Sequence, residues 1–461
     1  MTISLNKQTV AYKKLHFIGI GGIGMSGIAK ILRHMGCQIS GSDLYASAQT
    51  KELESLGCQV FIGHTEANIP ADCEAVVYTS AIGGDNPELA EAIARNLPIF
   101  KRAEMLGMIM KTRLSIGVAG AHGKTTTGGM ISLMLLENGL DPTIVIGGTL
   151  PQIAGNSRIG NGDLLVAEAD ESDGTFLILN PTIAVVTNIE EDHMDYYKDF
   201  EDILAAFRRY LAQLPPEGFA IVNADCIHTQ SALSDIHCRV VSYSLEGKGD
   251  YNAGIIEYEN GKFKAPVFEG EHFLGFLELA VPGNHNISNA LAAVALGRQM
   301  GLSFTAIADS LAKFKGTGRR FEKLGEVNGV TVVDDYAHHP TEIKATLTAA
   351  KKLGYQRIVT VFQPHRYSRT QAMYADFAAS FADSDLTLIN EIYPSFEPPI
   401  AGVSAKLIID AAKARGLDFS YAATEGDVLD YLRQTVQKGD LVLIMGAGNI
   451  IRAGERFVAE G

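Results

Sequence analysis

The sequence predicts an α/β protein of three successive units, and three observations predict it. Short apolar runs of strand length alternate with helical apolar patterns along most of the 461 residues, the order that gives parallel sheets covered by helices. Two of these runs feed glycine loops that open helices, at Gly19 and at Gly120. Three later runs end in polar clusters, and strand ends in a parallel sheet share one edge, where ligands bind. At ~150 residues per domain the length allows about three.

The first unit begins with a buried strand over 15–20. Gly19, Gly21 and Gly24 then satisfy G-x-G-x-x-G, and a helix is expected over about 28–34. A second strand, 37–40, leads to Asp43. An acid about 20 residues past the last glycine is the ribose position of a Rossmann-like unit, so the stretch predicts a bound nucleotide diphosphate. A strand over 75–79 ends at Ser80, and Asn86-Pro87 opens a helix with proline at its first position. The alternation continues to about Leu106.

The second unit turns on residues 117–127, GVAGAHGKTTT. An apolar run, 114–119, leads in and a helical pattern, 130–136, leads out. Strand, glycine loop and helix N-terminus together hold a phosphate chain with free backbone N–H groups and the helix dipole. Lys124 adds a point charge near the terminal phosphates, and the Thr125 hydroxyl suits Mg²⁺. Val118 stands where the strict P-loop pattern has its first glycine. The next strand, 163–167, delivers Glu168, Asp170 and Glu171, and a carboxylate there is placed to hold Mg²⁺. The strand after it, 182–187, ends in Asn188, Asp192 and His193. His193 can ligate a second Mg²⁺, bind phosphate, or simply pack. A strand follows over 218–223, and residues 239–280 read as inserted β-hairpins with turns near Gly261 and Gly270. A helix pattern after Pro282 carries Asn286 and Asn289, three apart, amides that suit adenine or ribose edges or cap the helix.

Residues 315–321 read as a linker carrying Arg319 and Arg320. In the third unit, strand 330–333 delivers Asp334, Asp335, Tyr336, His338 and His339. Strand 357–362 delivers Gln363, His365, Arg366 and Arg369, and strand 440–445 delivers Gly446 to Asn449. Arg366 and Arg369 suit a carboxylate, which a guanidinium fork pairs bidentately.

Composition excludes more than it selects. With 39 Lys+Arg against 53 Asp+Glu, no nucleic-acid partner is expected. Five cysteines without a C-x-x-C pair read as reduced thiols of a cytoplasmic protein. No apolar run nears the ~20 residues of a membrane span, and residues 1–14 lack the apolar core of a leader. A kinase needs one nucleotide site plus an acceptor. A NAD-dependent oxidoreductase leaves Lys124 and Glu168 unexplained, and a nucleotide sensor would bind ATP without turnover. A ligase that activates a nucleotide-linked acid with ATP uses both sites and needs a pocket for its amine.

The chain resembles the Mur ligase family of peptidoglycan synthesis. The matching stretches are 16–27, 102–106, 120–127, 167–174, 187–193, 282–286, 316–321 and 334–342, in family order over nearly the whole chain. Ala121 departs from the threonine usual there. The resemblance implies a Rossmann-like UDP-sugar domain (1–107), a central P-loop ATPase-type domain with a mainly parallel sheet and inserted hairpins (108–319), and a Rossmann-like amino-acid domain (320–461). It implies an ATP-dependent ligase, with Mg²⁺ (two ions), that joins L-alanine to the lactyl carboxylate of UDP-N-acetylmuramate through an acyl phosphate. The alternative within the family attaches a peptide to the same sugar nucleotide. By resemblance Gly120, Ala121, His122, Gly123, Lys124, Thr125, Thr126, Asn286, Asn289, Arg320 and Asp335 bind ATP. Thr125, Glu168 and His193 hold metal, and Lys124, Glu168, His193, Arg320 and Asp335 serve catalysis. Gly19, Gly21, Gly22, Gly24, Met25, Ser26, Asp43 and Ser80 meet the UDP-sugar. Tyr336, His338, Arg366 and Arg369 form the alanine pocket, with domain closure completing the site. A monomer or homodimer is expected.

Overall fold

The computed structural model describes residues 10–79, 82–194 and 196–461. The chain divides into two compact units. One runs to Asn252 and takes in Phe268–His272 and Asn289–Ser310. The other comprises Ala253–Val267, Phe273–Ser288 and Leu311–Gly461.

The first unit holds two sheets. Strands β1 (Lys14–Ile18), β2 (Gln38–Asp43), β3 (Gln59–Ile62), β4 (Ala75–Tyr78) and β5 (Ile99–Lys101) form one, in the order β3-β2-β1-β4-β5. All four pairings are parallel. β1 is central and buried on both faces, as its continuous apolar run requires. Its end is level with Ser42 and Tyr78, so Gly19, Asp43 and Thr79 emerge together at the C-terminal edge. Helix Ile23–His34 starts five residues before the expected position, because its first turn is the glycine loop itself.

The second sheet contains β6 (Leu114–Ala119), β7 (Thr143–Leu150), β8 (Gly155–Arg158), β9 (Leu164–Glu168), β10 (Ile183–Val186), β11 (Phe219–Asn223), β12 (Arg239–Ser244) and β13 (Tyr251–Ala253). They run in the order β13-β12-β11-β10-β6-β9-β7-β8. Only β7–β8 is antiparallel among these pairings. The expected hairpins begin later than 239. β12 pairs β11, and β13 pairs β12, both in parallel. Alternating burial is the same in a strand paired in parallel as in a hairpin, so periodicity does not report strand direction.

In the second unit, β14 (Glu257–Glu259), β15 (Lys262–Glu269) and β16 (His272–Leu279) supply the hairpins, with β14 antiparallel to β15 and β16 beside it. The third sheet has β17 (Glu322–Val327), β18 (Val330–Asp335), β19 (Arg357–Phe362), β20 (Leu386–Asn390), β21 (Phe419–Ala422) and β22 (Asp440–Met445), in the order β17-β18-β22-β19-β20-β21. It is parallel apart from β17. Asp335, Met445 and Phe362 are level across three strands, which brings the three polar clusters to one edge. No helix among the described residues is long and apolar enough to cross a membrane.

Candidate active site

The glycine loop after β6 is positioned by register. β9 places Glu168 opposite Val118, and β10 places Val186 opposite Ala119. Glu168 therefore flanks the loop on one side, and Thr187 and Asn188 flank it on the other. Asn188 grips the loop through its backbone: it accepts from the His122 N–H at 2.8 Å and donates to the His122 carbonyl at 2.9 Å. Thr187 donates to the same carbonyl at 2.6 Å. Gly120 and Gly123 have φ of 132° and 85°, which side chains rarely adopt. A methyl on Gly120 would also overlap Thr187, and one on Gly123 would lie 2.7 Å from Asn289 Oδ1.

Lys124 is the first residue of helix Lys124–Glu137. Its ammonium donates to the Gly120 carbonyl at 2.7 Å and to Glu171 at 2.8 Å. Burial opposes its charge, but the carboxylates of Glu171, Asp170 and Glu168 outweigh that and hold its pKa above the ordinary lysine range. Burial pushes the carboxyls of Glu168 and Glu171 up, against the pull of the Gly147 N–H and Lys124 on the first and of Lys124 on the second. For Asp170 burial acts the same way, yet Lys124 and the Ser172 N–H win and its pKa falls. A cluster of three acids around one lysine is charged for a cation.

Thr125 donates to Glu168 at 3.1 Å, and Glu168 also accepts from the Gly147 N–H at 2.5 Å. A hydroxyl and a carboxylate in contact at a phosphate loop are the hard oxygen donors Mg²⁺ takes. His193 has a left-handed backbone, φ 58°, and its Nε2 lies 3.7 Å from Glu171 and 3.6 Å from Asp192. Lys124, Thr125, Glu168 and His193 are thus brought together. Glu171 and Asn188 were missed as site residues. Asn188 lies two residues past the end of β10, within reach of a strand-end reading, whereas Glu171 lies three past the end of β9 and reaches Lys124 only through the loop's path.

At the first sheet, Asp43 accepts from the Gly21 N–H at 2.8 Å, so in this state the acid shapes the glycine loop. Met25 and Ser26 are buried, 2 % exposed each, and the Ser26 hydroxyl donates to the Ile23 carbonyl. Both side chains are therefore taken up by the fold, leaving only their backbone at the loop. Ser80 lies outside the described residues. Behind the loop, buried Glu88 gathers Ser42 (2.5 Å), Asn68 (2.5 Å) and His64 (3.3 Å).

Asn286 and Asn289 do share helix Asn284–Gln299. Asn286 donates to the Pro282 carbonyl at 2.6 Å, which ties it to the turn before the helix, while Asn289 lies against Gly123 of the phosphate loop.

The third sheet's edge is assembled from side chains. Arg319 and Arg320 both lie over the Tyr336 ring, at 4.9 and 5.0 Å. Arg319 pairs with Asp334 and donates to the Gly446 carbonyl, a structural lock. Arg320 meets Glu342 at 3.4 Å. Asp335 accepts from the N–H groups of Phe321 and Ala337. Burial pushes its carboxyl up to about 6, with Arg320 pulling the other way. Glu342 also caps the helix after His338, accepting from the His338 N–H at 2.9 Å. Rings of His338 and His365 meet at 5.9 Å, and His365 stacks on Tyr393 at 5.8 Å. Arg369 Nη1 lies 3.4 Å from His365 Nδ1. Arg366 caps helix Tyr367–Ala378 with φ 71° and ψ 142°, and its N–H donates to the Tyr393 carbonyl. In the sequence His365 stands in its cluster without an assigned role, and Tyr393 and Glu342 are not singled out, although Glu342 stands three residues past His339 in a capping pattern.

Three family models match the chain: Mur ligase family, catalytic domain (14–114), Mur ligase middle domain (118–297), and Mur ligase, glutamate ligase domain (319–448). The UDP-N-acetylmuramate–L-alanine ligase of Desulforamulus reducens is 50 % identical over 97 % of both chains. Among solved structures, the UDP-N-acetylmuramate–alanine ligase of Thermotoga maritima matches with TM-score 0.79 and 30 % identity, over 97 % of this chain and 98 % of its own. A murein peptide ligase of Psychrobacter arcticus matches over the same shares with TM-score 0.68 and 25 % identity.

Proposed function

This chain belongs to the Mur ligase family, and from that premise we infer the reaction and the residues that run it. The protein is an ATP-dependent ligase that joins L-alanine to the lactyl carboxylate of UDP-N-acetylmuramate, giving ADP and phosphate, a step of peptidoglycan precursor synthesis. The observation that carries the reading is identity of one half, along nearly the full length of both chains, to a ligase of that name. The peptide-attaching alternative is less well supported, since the structural likeness to such a ligase is lower.

The carboxylate attacks the ATP γ-phosphate, and ADP leaves. The alanine amine then adds to the acyl phosphate carbonyl, and phosphate leaves from the tetrahedral intermediate. In the first step two anions must approach, so positive charge must meet them. Lys124 supplies one such charge and the loop N–H groups supply the dipoles. When bound, Mg²⁺ neutralises the transferring phosphoryl oxygens. Thr125 and Glu168 would hold one ion and His193 would help hold a second. Asn289 and Asn286 are assigned to the adenosine side, and Arg320 and Asp335 to nucleotide contacts from the C-terminal domain. Tyr336, His338, Arg366 and Arg369 are assigned to alanine, the arginines holding its carboxylate and leaving its amine free. Gly19 to Ser26, Asp43 and Ser80 are assigned to the UDP-sugar.

We place the domain boundaries at 107/108 and 319/320, and read the protein as cytoplasmic, a monomer or homodimer. Phosphate release from ATP with UDP-N-acetylmuramate, tested with each amino acid in turn, decides the substrate. Release that needs both the sugar nucleotide and alanine supports the reading. Release that needs a peptide in place of alanine gives the alternative.

A further inference from the structure

The third glycine of the first glycine loop serves a purpose its motif does not predict. In the G-x-G-x-x-G pattern the third glycine ordinarily makes room for a helix to pack closely on a strand. Here a methyl built on Gly24 would lie 3.2 Å from Arg102 Cδ and 3.3 Å from Arg102 Nη1, and its three nearest atoms all belong to that arginine. The space is taken by a guanidinium, not by the sheet. A methyl at Gly24 would crowd it by a few tenths of an ångström, and a longer side chain by more.

Arg102 opens helix Arg102–Met110 directly after β5, on the C-terminal edge of the sheet where the glycine loop also lies. Its acidic neighbour is engaged elsewhere: Glu104 accepts from the Lys101 N–H at 2.6 Å and so caps the helix. Half-buried Arg102 makes no hydrogen bond and no ion pair among the described residues. Gly24 is the second residue of helix Ile23–His34, inside the turn whose N–H groups lack intrahelical acceptors. A permanently charged fork of donors with no partner among the described residues therefore rests on a helix N-terminus shaped for an anion. A guanidinium fits phosphate oxygens in a bidentate way that an ammonium does not.

We propose that Arg102 binds the diphosphate of the sugar nucleotide, and that Gly24 is glycine to leave room for it. The proposal rests on the UDP-sugar reading of the first domain.

The test is calorimetry on the full-length protein with UDP-N-acetylmuramate, UDP and uridine as separate probes. Arg102→Ala should weaken the first two on the order of 10- to 100-fold and leave uridine nearly unchanged, with Arg102→Lys between. Equal UDP affinity in wild type and Arg102→Ala overturns the proposal. A loss confined to UDP-N-acetylmuramate moves the arginine to the lactyl carboxylate and overturns the diphosphate assignment. An equal loss for uridine makes its role structural. Wild-type protein that fails to bind UDP would instead sink the UDP-sugar reading itself. Gly24→Ala tests the second half. Alone it should weaken UDP by less than Arg102→Ala does, and added to Arg102→Ala it should cost nothing more. A further loss of similar size would assign Gly24 to the ligand rather than to the arginine.

Discussion

The phosphate loop after β6 and the strand-end cluster of the third sheet are made of different material. The loop presents backbone N–H groups, two glycines in conformations side chains rarely adopt, and one lysine. Its supports are also directed at backbone, since Asn188 and Thr187 grip the His122 carbonyl and N–H. The third-sheet edge is a set of side chains that orient one another: two arginines on Tyr336, His338 against His365, His365 against Tyr393. A site made of backbone is strict about spacing and tolerant of most side chains. A site made of side chains tolerates insertions between its strands and is strict about chemistry.

That contrast can be broken by measurement. Lys124 is the one side chain at the loop that the contrast treats as indispensable. Lys124→Ala should lose on the order of 3 kcal/mol of transition-state stabilisation or more, seen as turnover falling over a hundredfold with circular dichroism unchanged. Near-normal turnover in a folded variant would remove the loop from the chemistry.

Arg366→Ala should raise the Michaelis constant for alanine on the order of 30-fold, with those for ATP and the sugar nucleotide moving far less. Arg366→Lys should recover only part, because an ammonium lacks the planar fork. If the ATP constant moves and the alanine constant stays, the cluster belongs to the nucleotide.

Asp335 gives the side-chain site a pH signature. Its carboxyl sits at about 6 in the folded protein against an ordinary 3.8. Between those values the folded state keeps a proton the unfolded state has lost, so stability present below pH 3.8 is lost as pH rises through 6. His285, which burial depresses to about 4, acts oppositely: stability present above its ordinary 6.5 is lost as pH falls toward 4. The two offset each other in the wild type, so the informative quantity is the difference from Asp335→Asn. In urea melts the variant should gain on the wild type by on the order of 1–2 kcal/mol between pH 4 and 6.5. A pH-independent difference would refute the shift.

The smallest effect tests tolerance directly. Ala121→Thr restores the residue usual at that position and should change the ATP Michaelis constant less than about twofold, since the loop acts through its N–H groups. A tenfold change would show that side chains matter there after all.

The same contrast explains what the sequence made legible. The loop could be read from Gly123, Lys124 and Thr125 between a strand and a helix, because backbone sites are spacing. Strand ends can be read too, which puts Glu168 and Asp335 at the ends of β9 and β18, where the structure has them. Glu171 was passed over because Glu168 alone sits on the strand, and which acid reaches a lysine depends on loop geometry. The direction of β12 and β13 is invisible in the sequence, since burial alternates alike in parallel and antiparallel pairing. Asn286 and Asn289 are equivalent by helical spacing, yet Asn286 reaches back to the Pro282 carbonyl while Asn289 lies against Gly123.

Arg366 carries one more consequence. With φ 71° and ψ 142° it occupies a backbone region that is nearly glycine's alone, at a cost of about 1–3 kcal/mol for a residue with a side chain. Arg366→Gly should therefore raise the melting temperature while the response to alanine collapses. A screen that ranks variants of this protein by heat resistance would select that change and, with it, discard the recognition of the amino acid.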